Sequence, residues 1–156
     1  MRHLIHYIWL ALLLMSLAAC SAVGDLLGWQ KTTALRQLDV VVQAGANQNM
    51  VTMLDIVFVM DSNSLSLLPQ TGPEWFAQKK RLQDRLANKV LVLSLQMDTP
   101  DLITAQALPS GYQKALVVYS YANYLEVDGQ QVGNLTPYKC ARITIDVRQI
   151  LYGACP

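Results

Sequence analysis

A two-sheet β-sandwich of about seven to eight strands with one helical insertion is the fold this sequence predicts. Three observations carry it. Short apolar or alternating runs recur along the chain and are bounded by turn-formers. One segment alone has a convincing helix start and helical composition. About 137 residues remain once an apolar leader is set aside, which suits one core rather than two. Strand runs with a single helix then pack as two layers. A closed barrel is the alternative, because strand pairing is not readable from one sequence.

The elements follow in order. Leu38-Asp39-Val40-Val41-Val42-Gln43-Ala44 is short and rich in β-branched residues. Gly45-Ala46-Asn47-Gln48-Asn49 is a turn-forming cluster. Leu54 to Asp61 is a second strand, apolar at every position from Ile56 to Met60, so both its faces are expected to be covered. Thr71-Gly72-Pro73-Glu74 supplies a cap, a proline in the first turn and an acid beside the helix N-terminus. Trp75 to about Lys89 continues as helix. Phe76, Leu82, Leu86 and Val90 share its apolar face, and Lys79, Arg81, Arg85 and Lys89 form a basic side expected to be solvated.

Strands resume with Val90–Met97 and, after Pro109-Ser110-Gly111, with Ala115–Tyr121. Leu102–Leu108 fits neither template clearly. Asp128-Gly129 between Tyr124–Val127 and Gln131-Val132 predicts a two-residue hairpin. Arg142–Val147 alternates, with Ile143, Ile145 and Val147 facing inward.

The leader begins with Met1-Arg2-His3, continues through the apolar run Ile8–Met15 and ends at Leu17-Ala18-Ala19-Cys20. This is the layout of a secretory signal peptide over residues 1–19. The ending resembles a bacterial lipobox, which places a lipid on Cys20. An ordinary signal peptide and an uncleaved anchor are the alternatives. Leu4 to Ala19 spans 16 residues, short of the roughly 20 that cross a bilayer. Residues 20–33 read as a lipidated tether and 34–156 as a single sandwich domain.

Charge and composition exclude several functions. Beyond the leader, 11 basic residues balance 11 acidic ones, which argues against nucleic acid. Both histidines, His3 and His6, lie in the leader. The remaining chain therefore builds no Ser-His-Asp triad, Cys-His pair or histidine zinc site. No carboxylate pair stands out for hydrolysis. Asp55, Asp61, Asp98 and Asp101 lack the spacing of a calcium loop, and turn-capping roles are expected for them. No metal, cofactor or enzymatic activity is expected. Cys140 and Cys155 form an even pair in an exported chain, and a disulfide is the natural reading, with two free thiols as the alternative. Trp75 and Phe76 are expected in the core. Tyr119 and Tyr121 share one face and are expected to be buried, with an aromatic patch including Tyr124 as the alternative.

The order of parts resembles the TssJ family, the outer-membrane lipoproteins of type VI secretion systems. The likeness covers about residues 36–148. It rests on the lipobox, the Asn-rich bend at Asn47 and Asn49, the apolar strand Leu54–Met60, the aromatic lead Trp75-Phe76 and the strand Ala115–Tyr121 after a Pro-Ser-Gly turn. The basic helix and the C-terminal cysteine pair depart from the family's pattern. The resemblance implies a structural protein anchored to the outer membrane on its periplasmic side. It further implies binding to the periplasmic C-terminal region of the inner-membrane protein TssM, which works with TssL. The implied contact is the loop between the first two strands, here Gly45, Ala46, Asn47, Gln48, Asn49, Met50, Val51, Thr52 and Met53. Its amides offer hydrogen bonds, and Met50 and Met53 offer adaptable apolar contact if exposed. A surface loop with Met50 or Met53 turned inward is the alternative. A periplasmic inhibitor or ligand-binding lipoprotein, such as one that blocks a lysozyme, is the alternative function. Ser21 after the cysteine is compatible with sorting to the outer membrane.

Overall fold

Eight strands and one long helix alternate along the chain in the computed structural model, which describes residues 31–156. The leader, Cys20 and nearly all of the tether lie outside the described residues. The strands are β1 (Gln37–Val42), β2 (Thr52–Val59), β3 (Val90–Met97), β4 (Asp101–Ile103), β5 (Val117–Ala122), β6 (Gly133–Asn134), β7 (Cys140–Ile145) and β8 (Ile150–Ala154). The helix α1 is Gly72–Leu86. One sheet has the order β4-β1-β7-β8 and the other β3-β2-β5-β6. Among the described residues, β1 and β7 pair in parallel and the other strand pairs are antiparallel. The fold is a sandwich, as the sequence predicts, and not a closed barrel.

The main core fills the space between the sheets. Leu38, Val40 and Val42 of β1 meet Leu54, Ile56 and Phe58 of β2, with Ile143 and Ile145 of β7 and Val118 of β5. These positions alternate along each strand, as the pleat requires. The other face of β2 is also buried, because α1 lies across it. Val57, Val59 and Tyr121 pack there against Trp75, Leu82 and Leu86. Hence the unbroken apolar run in β2: one set of residues faces the second sheet and the other faces the helix.

Helix α1 starts as its sequence dictates. Thr71 has extended backbone and its hydroxyl accepts the Glu74 N–H at 3.4 Å, with Pro73 in the first turn. Gly72 is required by close approach: a Cβ there would overlap the Ala122 carbonyl at the end of β5. Its N–H donates to the Gln130 carbonyl at 2.7 Å. The helix end is thereby fixed to the neighbouring sheet.

Several expectations are corrected. The hairpin at Asp128-Gly129 does not form. Val127–Gly129 is a 3₁₀ turn, and Gln131 contributes a single bridge to Thr71. Gly129 lies against the Tyr124 ring, leaving no room for a side chain. The Gln130 amide donates to the Tyr124 and Leu125 carbonyls at 3.0 and 3.1 Å. These bonds fold the segment onto the preceding loop and keep it from pairing as a hairpin. Val147 is not a core residue: β7 ends at Ile145 and Val147 is 46% exposed. The tail after Ile150 is a full strand, paired with β7 over Ala141–Ile145. Tyr119 is half-buried, while Tyr121 is fully enclosed. Thr33 is already packed, with its N–H donating to the Ala115 carbonyl at 2.7 Å.

The larger correction concerns Asp55 and Lys79. Asp55 caps no turn. It lies within β2, wholly enclosed, and accepts the Trp75 indole N–H at 2.7 Å. Lys79 is not on a solvated face. Its ammonium sits 2.9 and 3.1 Å from the two Asp55 oxygens and donates to Ser94 at 2.9 Å. The Trp75 ring stacks on Tyr121, with centroids 4.9 Å apart. The Tyr121 hydroxyl donates to the Pro69 carbonyl. An apolar strand carrying one aspartate therefore meets a helix carrying one lysine and one indole, and the three fix where α1 rests. This is a charged pair desolvated on one side, which defines position more than it adds net stability.

The outer face of the first sheet carries a second carboxylate, Asp39, nearly buried beside Arg142 of β7 at 3.4 Å. Its carboxyl is held below the usual carboxylate range. The Ala105 N–H is the main cause, followed by the Gln37 amide, with Arg142 adding to both against the opposing effect of burial. The unfolded chain therefore takes up this proton at higher pH than the folded one. The stabilisation is present above about pH 4 and is lost as pH falls through the folded value. On the alkaline side, burial pushes the Tyr152 hydroxyl up to about 12 and raises that of Tyr121 as well. Unfolded tyrosines ionise near pH 10, so stability declines from about pH 10 upward. Thermal midpoints followed by circular dichroism should be flat near neutrality and fall on both sides. A tyrosinate absorbance that rises fully near pH 10 in the folded protein would contradict this.

Candidate partner-binding face

The loop from β1 to β2 is a built platform. Gly45 turns the chain at φ 82°, a left-handed value that glycine adopts without cost. Asn47, Gln48 and Asn49 then follow at φ 49°, 57° and 62°. Asparagine tolerates this region; a glutamine there costs energy and needs support from its surroundings.

Asn47 supplies the support. It is buried, its side-chain amide and backbone N–H point inward, and its carbonyl accepts the Met50 N–H at 3.0 Å. Its amide nitrogen donates to Thr52 Oγ1 at 3.1 Å and to the Asn123 carbonyl at 3.4 Å. Its side-chain oxygen accepts the Leu125 N–H at 2.9 Å. Its backbone N–H donates to the Tyr124 hydroxyl at 3.1 Å, and that hydroxyl donates to the Asp146 carbonyl. Burial raises the ionisation of Tyr124 above its ordinary value, so the hydroxyl keeps its proton for this bond. The Gln48 amide reaches Glu126 at 3.3 Å, and Thr99 Oγ1 lies 3.5 Å from the Ala46 carbonyl.

Three loops are thereby tied together: β1–β2, the segment after β5, and the turn between β7 and β8. Gly45 sits against Val147 of the last of these. The network leaves apolar side chains outside. Met50 is 55% exposed and Val127 68%, with Val51, Leu125 and Val147 also exposed. Five of the eight large exposed apolar residues among the described residues thus belong to these three loops. Exposed apolar side chains on a rigid polar frame are what a protein contact needs, because little ordering remains to oppose binding.

The nine loop residues named from the sequence divide sharply. Gln48, Asn49, Met50 and Val51 face solvent. Gly45 and the buried Ala46 and Asn47 form the frame. Thr52 and Met53 are not loop residues: they begin β2, with Thr52 buried and Met53 half-buried. Of the two methionines, only Met50 is exposed. Sequence reasoning missed Tyr124, Leu125, Val127 and Val147. Leu125 and Val127 were concealed in an apparent hairpin strand, and Val147 in an apparent inward alternation.

Cys140 and Cys155 extend the β7–β8 register. Their Cα atoms are 5.4 Å apart and their sulfurs are in direct contact. Among the described residues, Asp39 with these two cysteines is a cluster of potential metal ligands, its ligand atoms within 4.8 Å of one another. The sulfurs face each other and Asp39 already accepts from Ala105, Gln37 and Arg142. The cluster is accounted for without an ion. Among the described residues, no helix is long and apolar enough to cross a membrane.

A two-sheet sandwich with one helix laid on the outer face of one sheet and a framed loop face at one end is the class these features define. No family model matches the sequence, and no curated protein matches it. Solved structures do. The type VI secretion lipoprotein TssJ1 from Pseudomonas aeruginosa superposes with a TM-score of 0.51 at 14% identity, covering 78% of this chain and 98% of that one. Serratia marcescens Lip, a membrane-bound component of the type VI secretion system, gives 0.52 at 12% identity, covering 81% and 99%. A chain described with the TssM C-terminal domain from EAEC gives 0.51 at 13%, covering 75% and 98%. The chain has the fold of the TssJ lipoproteins.

Proposed function

We propose that this chain is a lipid-anchored structural component of a type VI secretion membrane complex. It binds the periplasmic C-terminal region of a TssM-like inner-membrane protein, within a TssJ-TssL-TssM-like assembly, and ties that protein to the outer membrane. The Asn47-framed loop face carries this reading, because it presents Met50 and Val51 on a rigid base. The shared fold of TssJ1 and Lip supports it. Lipid on Cys20 supplies the second grip, on the periplasmic side of the outer membrane. Stable anchorage takes more than one acyl chain, which a lipidated N-terminus provides. The role is structural, without catalysis.

The test is capture of envelope proteins by the full lipidated chain, repeated after the exposed residues Gln48–Val51 are shortened. Loss of one large inner-membrane protein on shortening is expected. Equal capture by both forms contradicts the reading. Cys20→Ser should abolish fatty-acid labelling and release the chain from the outer membrane fraction; unchanged labelling would remove the anchor from the account.

Cys140 and Cys155 form a disulfide in this reading, fastening β8 to the start of β7. Cys155→Ser is expected to cost roughly 3 kcal/mol, the chain-entropy value for a loop of about 15 residues. Denaturant unfolding of the oxidised protein and the variant measures it. Identical midpoints would show that the bond does not contribute.

A further inference from the structure

β3 is the outermost strand of its sheet and the longest open edge of the sandwich. The other edge strands are short: β6 has two residues, β4 three and β8 five, against eight in β3. Soluble proteins blunt a long edge with charge, proline, a bulge or a covering element. Val90-Leu91-Val92-Leu93-Ser94-Leu95-Gln96-Met97 has no charge, proline or glycine. It pairs without a bulge over its whole length with β2. Among the described residues, β2 is the strand that pairs with it, and α1 reaches its face through Lys79 on Ser94 and through Leu82 and Leu86 near Val90.

The direction of its free backbone groups follows from the ladder. The Met60 N–H donates to the Lys89 carbonyl, and the Asn123 N–H to the Met53 carbonyl. Odd-numbered residues of β2 therefore bond to β5 and even-numbered ones to β3. Leu91, Leu93, Leu95 and Met97 of β3, and Lys89 just before it, are directed to β2. Val90, Val92, Ser94 and Gln96 present N–H and C=O to the open side.

We propose that this edge pairs with the same edge of a second copy, antiparallel about a two-fold axis at Leu93. Val90 then lies opposite Gln96, and Val92 opposite Ser94, so every outward group on β3 finds a partner. The strand is neutral, so self-pairing brings no like charges together. The charges at its two ends are opposite: Lys89 precedes Val90 and the exposed Asp98 follows Met97. About this axis Lys89 falls opposite Met97, and Asp98 opposite Asn88 of the second copy, so no two like charges face each other. A two-fold interface requires this self-complementarity. The result is one continuous sheet running through two sandwiches, a use of β3 distinct from the loop face.

Two variants of the full chain, extracted from membranes in detergent, test the inference. Leu93→Cys places thiols across a non-hydrogen-bonded antiparallel pair, the closer kind of pair. Mild oxidation in membranes is expected to give a disulfide-linked dimer of this chain. Gln96→Pro removes an N–H that the β2 ladder does not use. Wild type is expected to sediment at twice the monomer mass, and Gln96→Pro as a monomer with unchanged circular dichroism. If Gln96→Pro fails to fold, the crosslink decides alone. A monomeric wild type, a dimer that survives Gln96→Pro, or a Leu93→Cys crosslink to a different protein overturns the inference. Shortening Gln48–Val51 leaves the dimer intact, which separates this result from failure of the loop face.

Discussion

Lys79→Met is expected to destabilise the sandwich by about 3 kcal/mol, since removing one partner of a buried pair leaves the other charge uncompensated. The direction of the asymmetry matters. Asp55 is fully enclosed, held in the centre of a paired strand, and cannot move to water. Lys79 has 26% of its side chain exposed and reaches solvent by a small rotation. Asp55→Asn should therefore cost less than Lys79→Met: the amide oxygen keeps the Trp75 bond, and the freed ammonium turns outward. The double variant should recover much of the single Lys79→Met loss, because no charge is then stranded. Denaturant unfolding of the three variants measures all of this. Equal losses for the two single changes would contradict the asymmetry. For a domain whose total stability is about 5–15 kcal/mol, the Lys79→Met loss is a large fraction.

Asn47→Ala is the second large effect, and it reaches function. The substitution strands the Leu125 N–H and the Asn123 carbonyl and removes the partner of Thr52. It also leaves alanine at φ 49°, a left-handed position that asparagine tolerates better. A stability loss of about 2 kcal/mol is expected, because each buried group left unpaired costs on the order of 1–3 kcal/mol before water relieves it. The loop then loses its fixed shape, and binding pays the ordering cost that Asn47 removes in advance. Partner affinity is expected to fall at least about 10-fold, with the far side of the sandwich unchanged by amide hydrogen exchange. Tyr124→Phe should act in the same direction but more weakly, since it removes one acceptor and one donor.

The fold was legible wherever local pattern and tertiary fate agree. The unbroken apolar stretch Ile56–Met60 announced a strand covered on both faces, and Thr71-Gly72-Pro73 announced the helix that covers one of them. The alternation at Ile143 and Ile145 placed β7. The misreadings share a physical cause: the deciding contact is remote in sequence. Asp55 looked like a strand-end residue because Trp75 and Lys79, its partners, are 20 and 24 positions away. Asp128-Gly129 satisfies hairpin chemistry, yet Gly129 lies against the Tyr124 ring and the Gln130 amide ties the next residue to the Tyr124 and Leu125 carbonyls instead. Val147 keeps the period of β7 but lies two residues beyond its end.

The candidate site was half legible. Amide-rich sequence after β1 marks the turn, and Asn at two of three left-handed positions is the local signal for its shape. Which residues point in and which point out is decided by Tyr124, Asn123 and Asp146, from other loops. Periodicity carries no information about those meetings. Accordingly Met50 and Met53 looked equivalent in sequence, and the β2 register separates them.

The most direct measurement of the central claim is the affinity of the full lipidated chain, in detergent, for the periplasmic C-terminal region of the TssM-like protein from the same secretion system. Wild type is compared with the double variant Met50→Asp/Val51→Asp, which changes two exposed side chains and none of the framing bonds. The account predicts at least about a 30-fold loss of affinity, the scale of a 2 kcal/mol hot spot, with an unchanged thermal midpoint. Equal affinity in the two proteins would contradict it.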